Sequence, residues 1–451
     1  MAAEVKFFAP LAWLEGGWAR DVVLTVDSAG HWASVEPGAP TPGAERLEGL
    51  VLPGIVDAHS HAFQRAIAGL TERSGGRDDD FWSWRDRMYS AALRIGPQQV
   101  EAIATQLYAE LLAGGYTHVC EFHYLHNDVG GSPYADAPEL SMALVRAAQA
   151  AGIGLTLLPT LYMRSGFGAK GLREDQRRFA STPAGILRIA EAVNGLGLPN
   201  VNAGVALHSL RAVDTAALHE VAHEASRLSL PVHIHIAEQV QEVEDCLAHH
   251  GRRPIEWLLE NAPVCARWNL VHATHTVAAE LEALQKAGAS IVICPTTEAN
   301  LGDGIFDYAG WAGRGGRWSI GSDSHVTRCA AEELRLLEYS QRFAQRKRNV
   351  ASRTAGTDST AATLLAGALE GGEAATGLRQ GGIAVGRRAD FCLLDARAPS
   401  LIGIPQERLL DAWMFSSPGA QVMGSWVGGR RTAAPAGAAE AFRAAMAELW
   451  A

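Results

Sequence analysis

Residues 51–61 read VLPGIVDAHSH, a short apolar run that ends in two histidines one residue apart. Seven later stretches repeat this texture of a buried-type strand with polar residues at its end, and helical stretches fit between them. The strand set is 51–59, 117–122, 155–161, 201–207, 232–237, 269–273, 290–294 and 318–322. Helical periodicity runs through 98–112, 140–151, 215–228 and 277–287, with Asp214 and Thr276 as plausible caps. Strands alternating with helices indicate parallel βα units, and eight such units close a barrel. The predicted fold is therefore an α/β chain with a (β/α)8 TIM barrel at its centre.

Outward from the barrel, the two chain ends share a different texture. Residues 22–26 and 32–35 near the start, and 389–394 and 422–427 near the end, are strand-like segments set among Gly and Pro turns. Both ends are predicted to join in one small β-sandwich domain, residues 1–50 and 380–435, with the barrel at 51–379. An alanine-rich stretch from Thr432 to Ala445 predicts a terminal helix, assigned to residues 436–451. A length of 451 residues suits a barrel with a minor appended domain, and 48% hydrophobic with 20% charged residues is ordinary for a globular protein.

The formal charge of -10 argues against a nucleic-acid or anionic-membrane partner. Six cysteines are scattered with no CxxC pair, which fits reduced thiols in the cytoplasm. No leader-like segment occurs at the start, and no stretch approaches the roughly eighteen apolar residues of a membrane span.

In a parallel barrel the reactive groups gather where strands end, so the polar residues there carry the functional argument. His59 and His61 end the first strand, and residues two apart in extended chain project to one side. An isolated HxH is weak evidence, since surface or hydrogen-bonded histidines are commoner. The fifth strand ends in HIHIAE, where His235 is the third candidate ligand and His233, one inward step deeper, is the competing choice. Asp323 ends the eighth strand within GSDSH, completing the set His59, His61, His235 and Asp323.

Three imidazoles and a carboxylate suit one zinc ion better than magnesium or calcium, which prefer oxygen. An ion so held makes hydroxide available near neutral pH. Glu238, three residues after His235, is placed to shuttle protons; an isolated glutamate there would otherwise be a helix cap. His272, at the end of the sixth strand, reads as a hydrogen-bond donor or proton carrier beside the ligands, with a purely structural histidine as the alternative.

Together PGIVDAHSH, HIHIAE, VHATH and IGSDSH resemble the amidohydrolase superfamily, in particular its mononuclear aminohydrolase branch, through nearly the whole chain. The fourth strand ends in Leu207-His208-Ser209, without the lysine or glutamate usual for a second metal, which favours one zinc per subunit. The resemblance implies that Glu238 relays protons, that His272 assists, and that Asp323 accepts a proton from the attacking water.

Within that branch, HAFQRA, FWSWRDRMY, EFHYLH and ALHSLRAV are similar to the formimidoylglutamate deiminases. This implies a small dicarboxylate substrate, and guanidinium groups pair well with carboxylates. Arg85 and Arg211 are the candidate clamps, and Gln64, Tyr124 and His208 would complete the pocket by the same similarity. Asn127 and Gly130-Gly131 depart from the pattern of some relatives. A homodimer is common in the family. His123, His126 and His325 also lie near the predicted mouth, whereas His249 and His250 are expected to face solvent. Deamination of a nucleobase, nucleoside, triazine or guanidino compound, and a non-catalytic scaffold, are the rival readings.

Overall fold

Apolar strands that need burial on both faces, and helices that can cover them, assemble here as expected of a parallel barrel. The computed structural model describes residues 4–40, 42–73, 80–135, 138–416, 419 and 421–451. The barrel strands are, in order, Ile55–Ser60, Tyr116–His123, Gly154–Leu161, Val201–Ala203 with Val205–Ser209, Val232–Ile236, Trp268–His272, Ser290–Ile293 and Arg317–Ile320. Each neighbouring pair is parallel. The seam closes at a bridge between Ser60 and Asp323, where Asp323 N–H donates to the His59 carbonyl at 2.9 Å and His61 N–H to the Asp323 carbonyl at 3.2 Å. The residues that complete the barrel are thus also predicted site residues.

Two of the expected strands need correction. The continuous first strand over 51–59 is instead two strands, Leu50–Pro53 in the small domain and Ile55–Ser60 in the barrel. Hydrogen bonding changes sheet between them, because Gly54 N–H donates to Asp390 while Ile55 N–H donates to Gly115. A Cβ at Gly54 would lie 2.2 Å from Thr117 Oγ1, so this crossing needs glycine. The fourth strand is likewise interrupted at Gly204.

Helices Pro97–Ala113, Glu139–Ala151, Thr215–Arg227 and Ala278–Ala287 fall where periodicity placed them. Asp214 caps the third of these, accepting from Ala217 N–H at 2.9 Å. Thr276 does not cap the fourth. Val277 holds the cap position, and its N–H donates to Glu280 at 3.0 Å.

The small domain is one eight-stranded sheet built from both chain ends. Phe7 on strand Val5–Leu14 and Trp426 on strand Val422–Val427 are three places apart in that sheet, roughly 14 Å if it were flat. Their ring centroids are only 6.5 Å apart, so the sheet folds over a core of its own that includes Trp32 and Phe391. The terminal helix spans Ala438–Trp450, within the 436–451 expected for it.

Helix Thr360–Thr376 plugs the far end of the barrel. Its last carbonyls, at Ala374, Ala375 and Thr376, accept hydrogen bonds from Asn269, His233 and Asn202 on three different barrel strands. Those carbonyls have no partner within the helix and would otherwise be buried unsatisfied. Among the described residues, no helix is long and apolar enough to cross a membrane.

Candidate active site

Period-two alternation puts His59 and His61 on one side of the chain leaving the first strand, and both are buried. The Nδ1 of His61 is 2.8 Å from the Phe122 carbonyl, and that of His235 is 3.0 Å from the His208 carbonyl. A carbonyl can only accept, so both rings carry hydrogen on Nδ1 and present the Nε2 lone pair inward. His59 Nε2 lies 2.9 Å from His235 Nε2, while Asp323 Oδ1 is 3.5 Å from His59 and 3.3 Å from His61. Two groups of possible metal-binding atoms share His59: one with His61 and Asp323, the other with His235 and His272.

Electrostatics separates His272 from the other imidazoles. Burial lowers the pKa of His59 to about 3 and also lowers those of His61 and His235, keeping these rings neutral. Burial acts on His272 in the same sense, but the charges of Glu238, Glu298 and Asp323 outweigh it and raise its pKa to about 10. Its Nδ1 is 3.3 Å from Glu298 and its Nε2 is 3.7 Å from Glu238. Glu238 is itself raised to about 7, chiefly by burial, with Asp323 and Glu242 adding to the shift and His272 and Arg211 opposing it.

Backbone strain clusters at the same place. Of nine non-glycine residues with positive φ among the described ones, Ala237, His272, Ala273, Asp323 and His325 all lie at barrel strand ends. Such conformations persist only where surrounding contacts over-determine them.

Next to the histidines lies a cavity. Its lining includes His61, His235, Glu238, His272 and Asp323, together with Gln64, Arg85, Tyr124, His208 and Arg211. Helix Phe81–Ala92 supplies Phe81, Trp84, Arg85 and Met88 from one face, since positions three, four and seven apart lie in a row. The Arg85 and Arg211 guanidiniums sit 4.4 and 5.6 Å from the centroid of the same Trp82 ring. Gln64 donates to Tyr124 Oη at 3.0 Å.

The amidohydrolase family model matches residues 50–432, a span that holds the whole barrel. The chain belongs to the amidohydrolase family. It is 47% identical over 449 residues to formimidoylglutamate deiminase of Pseudomonas aeruginosa, covering 98% of this chain and 99% of that one. An amidohydrolase from Brucella melitensis, solved by crystallography, shares 43% identity with a TM-score of 0.93, covering 99% of this chain and all of that one. An adenosine deaminase from Xanthomonas campestris with bound zinc shares the fold at 22% identity, with a TM-score of 0.79 and coverage of 99% and 98%.

Among the other histidines of this amidohydrolase, His233 lies deeper along the same strand and donates to the Ala375 carbonyl at the end of helix Thr360–Thr376. Of the two candidates on the fifth strand, only His235 faces the cluster. His126 bonds the Thr160 carbonyl at 2.8 Å, and His325 is held between the hydroxyls of Ser322 and Ser60 at 3.0 and 3.5 Å. His123 is buried with its ring 5.5 Å from that of His126. His249 is exposed as expected, but His250 is half-buried, with its ring 4.6 Å from that of Trp257.

Several residues were not anticipated. Glu298, on helix Pro295–Leu301 after the seventh strand, accepts from Cys294 N–H at 2.9 Å while meeting His272. The polar run Thr296-Thr297-Glu298 directly after a strand end was the available signal. Glu242, fully buried, accepts from Glu238 N–H at 3.2 Å and is the foremost negative charge acting on Arg211. Tyr162, whose ring centroid is 4.2 Å from that of His208, carried no signal beyond an ordinary core aromatic.

Proposed function

We propose that this amidohydrolase removes ammonia from N-formimidoyl-L-glutamate, giving N-formyl-L-glutamate, a step of histidine degradation. One observation carries the reading: a single cavity is lined both by metal-type ligands and by two arginines sharing a tryptophan ring. A substrate with a reactive C=N group and two carboxylates matches that polarity. The 47% identity over nearly the full length to a formimidoylglutamate deiminase supports it.

His59, His61, His235 and Asp323 would hold one zinc ion per subunit, because three neutral rings and one carboxylate converge with their Nε2 atoms and oxygens inward. Zinc bound there would acidify a water and supply hydroxide near neutral pH. Asp323 takes up the proton that the attacking water releases. Glu238, poised near 7, can both accept a proton and return it to the departing nitrogen, which leaves as ammonia while oxygen remains on carbon. His272, held as a cation by the surrounding carboxylates, stabilises negative charge on the oxygen that joins the attacked carbon. Arg211 and Arg85 bind the carboxylates, and Gln64, Tyr124 and His208 orient the rest of the substrate.

A cytoplasmic homodimer is part of the same proposal. All six cysteines are unpaired, in keeping with a reducing compartment. Sedimentation velocity of the purified chain tests the dimer. The activity is tested by assaying ammonia release from N-formimidoyl-L-glutamate, N-formimidoyl-L-aspartate, guanine and cytosine. Fastest release from the first, with N-formylglutamate as co-product, is expected. Faster turnover of a base, or formamide and glutamate as products, would overturn the reading.

A further inference from the structure

The mechanism above leaves unused a buried polar cluster on the loop after the third strand. Gln176 and Arg178 lie on the 3-10 segment Glu174–Phe179, and both are fully buried. Burying an arginine side chain is costly unless its donors are used. Arg178 uses its Nη1 and Nε for this, on carbonyls at the end of one helix and on a second loop. Its Nη1 donates to Ile95 at 2.7 Å and to Ala92, just past and at the end of helix Phe81–Ala92. Its Nε donates to Asn127 at 3.0 Å and Asp128 at 3.1 Å, on the loop that follows Tyr124. The backbone returns the contact, since His126 and Asn127 N–H groups both donate to the Arg178 carbonyl.

Gln176 reaches the same helix one turn earlier. Its Nε2 donates to Tyr162 Oη at 3.0 Å and Tyr89 Oη at 3.3 Å, and those two hydroxyls are 3.1 Å apart. Tyr89 belongs to helix Phe81–Ala92 and lines the cavity, and Tyr162 packs against the His208 ring. Phe179 adds ring contacts to Tyr89 and Tyr124 at 5.3 and 5.1 Å. One short segment thereby grips the helix bearing Arg85, the loop beyond Tyr124 and the aromatic beside His208.

We propose that Gln176 and Arg178 are positioning residues that fix helix Phe81–Ala92 over the cavity and so set the place of Arg85 relative to His208 and Tyr124. The brace rests on the dicarboxylate reading only for what Arg85 binds. The fixing of the helix stands on its own. A helix carried on loops opens locally more easily than the barrel beneath it, even with Arg87 donating to the Thr71 carbonyl at 2.7 Å and Arg173 pairing with Asp86 at 3.1 Å, and the position of a remote binding group governs how well substrate is held for reaction.

The test uses the full-length, zinc-loaded enzyme and the variants Gln176→Leu and Arg178→Lys. Gln176→Leu keeps the volume and loses both donations, and Arg178→Lys keeps the charge but cannot reach four carbonyls. Hydrogen exchange without substrate is expected to speed up over residues 81–95 by on the order of fivefold to tenfold, with barrel strand amides unchanged. KM for N-formimidoyl-L-glutamate should rise by a similar factor, with kcat and zinc content close to those of the parent. Exchange over 81–95 that matches the parent in Gln176→Leu would overturn the brace. Should Arg178→Lys fail to fold, Gln176→Leu alone decides. Parent enzyme inactive on that substrate would overturn the dicarboxylate reading instead, while the exchange result still judges the brace.

Discussion

Replacing Arg211 by alanine gives the most informative perturbation of the cavity, because its guanidinium serves two masters. Arg211 is 7% exposed and lines the cavity, and burial alone would disfavour its charge. Glu242 and Glu238 more than offset that burial and hold the guanidinium charged. A paired, charge-assisted contact with a substrate carboxylate in such a site is worth roughly 2–4 kcal/mol, so Arg211→Ala should lower kcat/KM by roughly 30- to 1000-fold, mostly through KM. The loss also removes a positive charge that buried Glu242 interacts with, and one Glu242 oxygen, Oε1, already has no hydrogen-bond partner. A stability loss of about 1–3 kcal/mol is expected from that source. Thermal melting and steady-state ammonia release separate the effects: Arg211→Ala with Glu242→Gln should regain most of the stability and none of the KM. An unchanged KM in Arg211→Ala, or equal turnover of an uncharged amidine by the parent enzyme, would refute the assignment.

Glu238→Gln should keep zinc and substrate affinity while kcat falls by roughly 10²- to 10⁴-fold, and single-turnover ammonia release measures it; a kcat within threefold of the parent would remove Glu238 from proton transfer. Chelation should abolish activity and added zinc restore it, with His59→Ala failing to recover metal by elemental analysis. Because burial holds His59 near 3 and lowers His61 and His235, protons do not compete for these rings, and zinc affinity should be nearly flat between about pH 6 and 8. A steep loss of zinc over that range would count against neutral-ring ligation. Away from the cavity, burial tends to raise Glu110, but Arg65 at 2.8 Å, Gln106 and Arg328 together hold its pKa below 4.5. A depressed carboxylate pKa contributes stability above its unfolded value and loses it as pH falls through the folded one. The melting-temperature gap between parent and Glu110→Gln should therefore shrink below about pH 4.5, and a constant gap would show that the ion pairs contribute nothing.

Strand and helix periods are local properties of a chain, which is why eight apolar runs with intervening helical stretches already imply a closed barrel with its reactive groups at the strand ends. His59, His61, His235, His272 and Asp323 were legible for the same reason: each ends a strand, and barrel geometry collects strand ends at one mouth. The two arginines and the polar residues around them came from local motifs that resemble a known family, and the fold places all five around one cavity.

What the chain alone left open depends on approach between distant segments. That His233 is occupied elsewhere shows only in the fold, where its ring meets the Ala375 carbonyl of helix Thr360–Thr376 from 142 residues away. The split at Gly54 arises because one extended run must serve two sheets, and period-two patterning is identical on both sides of the crossing. Glu298, Glu242 and the brace at Gln176 and Arg178 are polar residues without a periodic signal, and their roles exist only because folding buries them beside His272, Arg211 and helix Phe81–Ala92. Sequence determined which groups stand at the strand ends; tertiary structure decided which of them meet, and which are charged when they do, because burial and neighbouring charge are properties of the folded assembly.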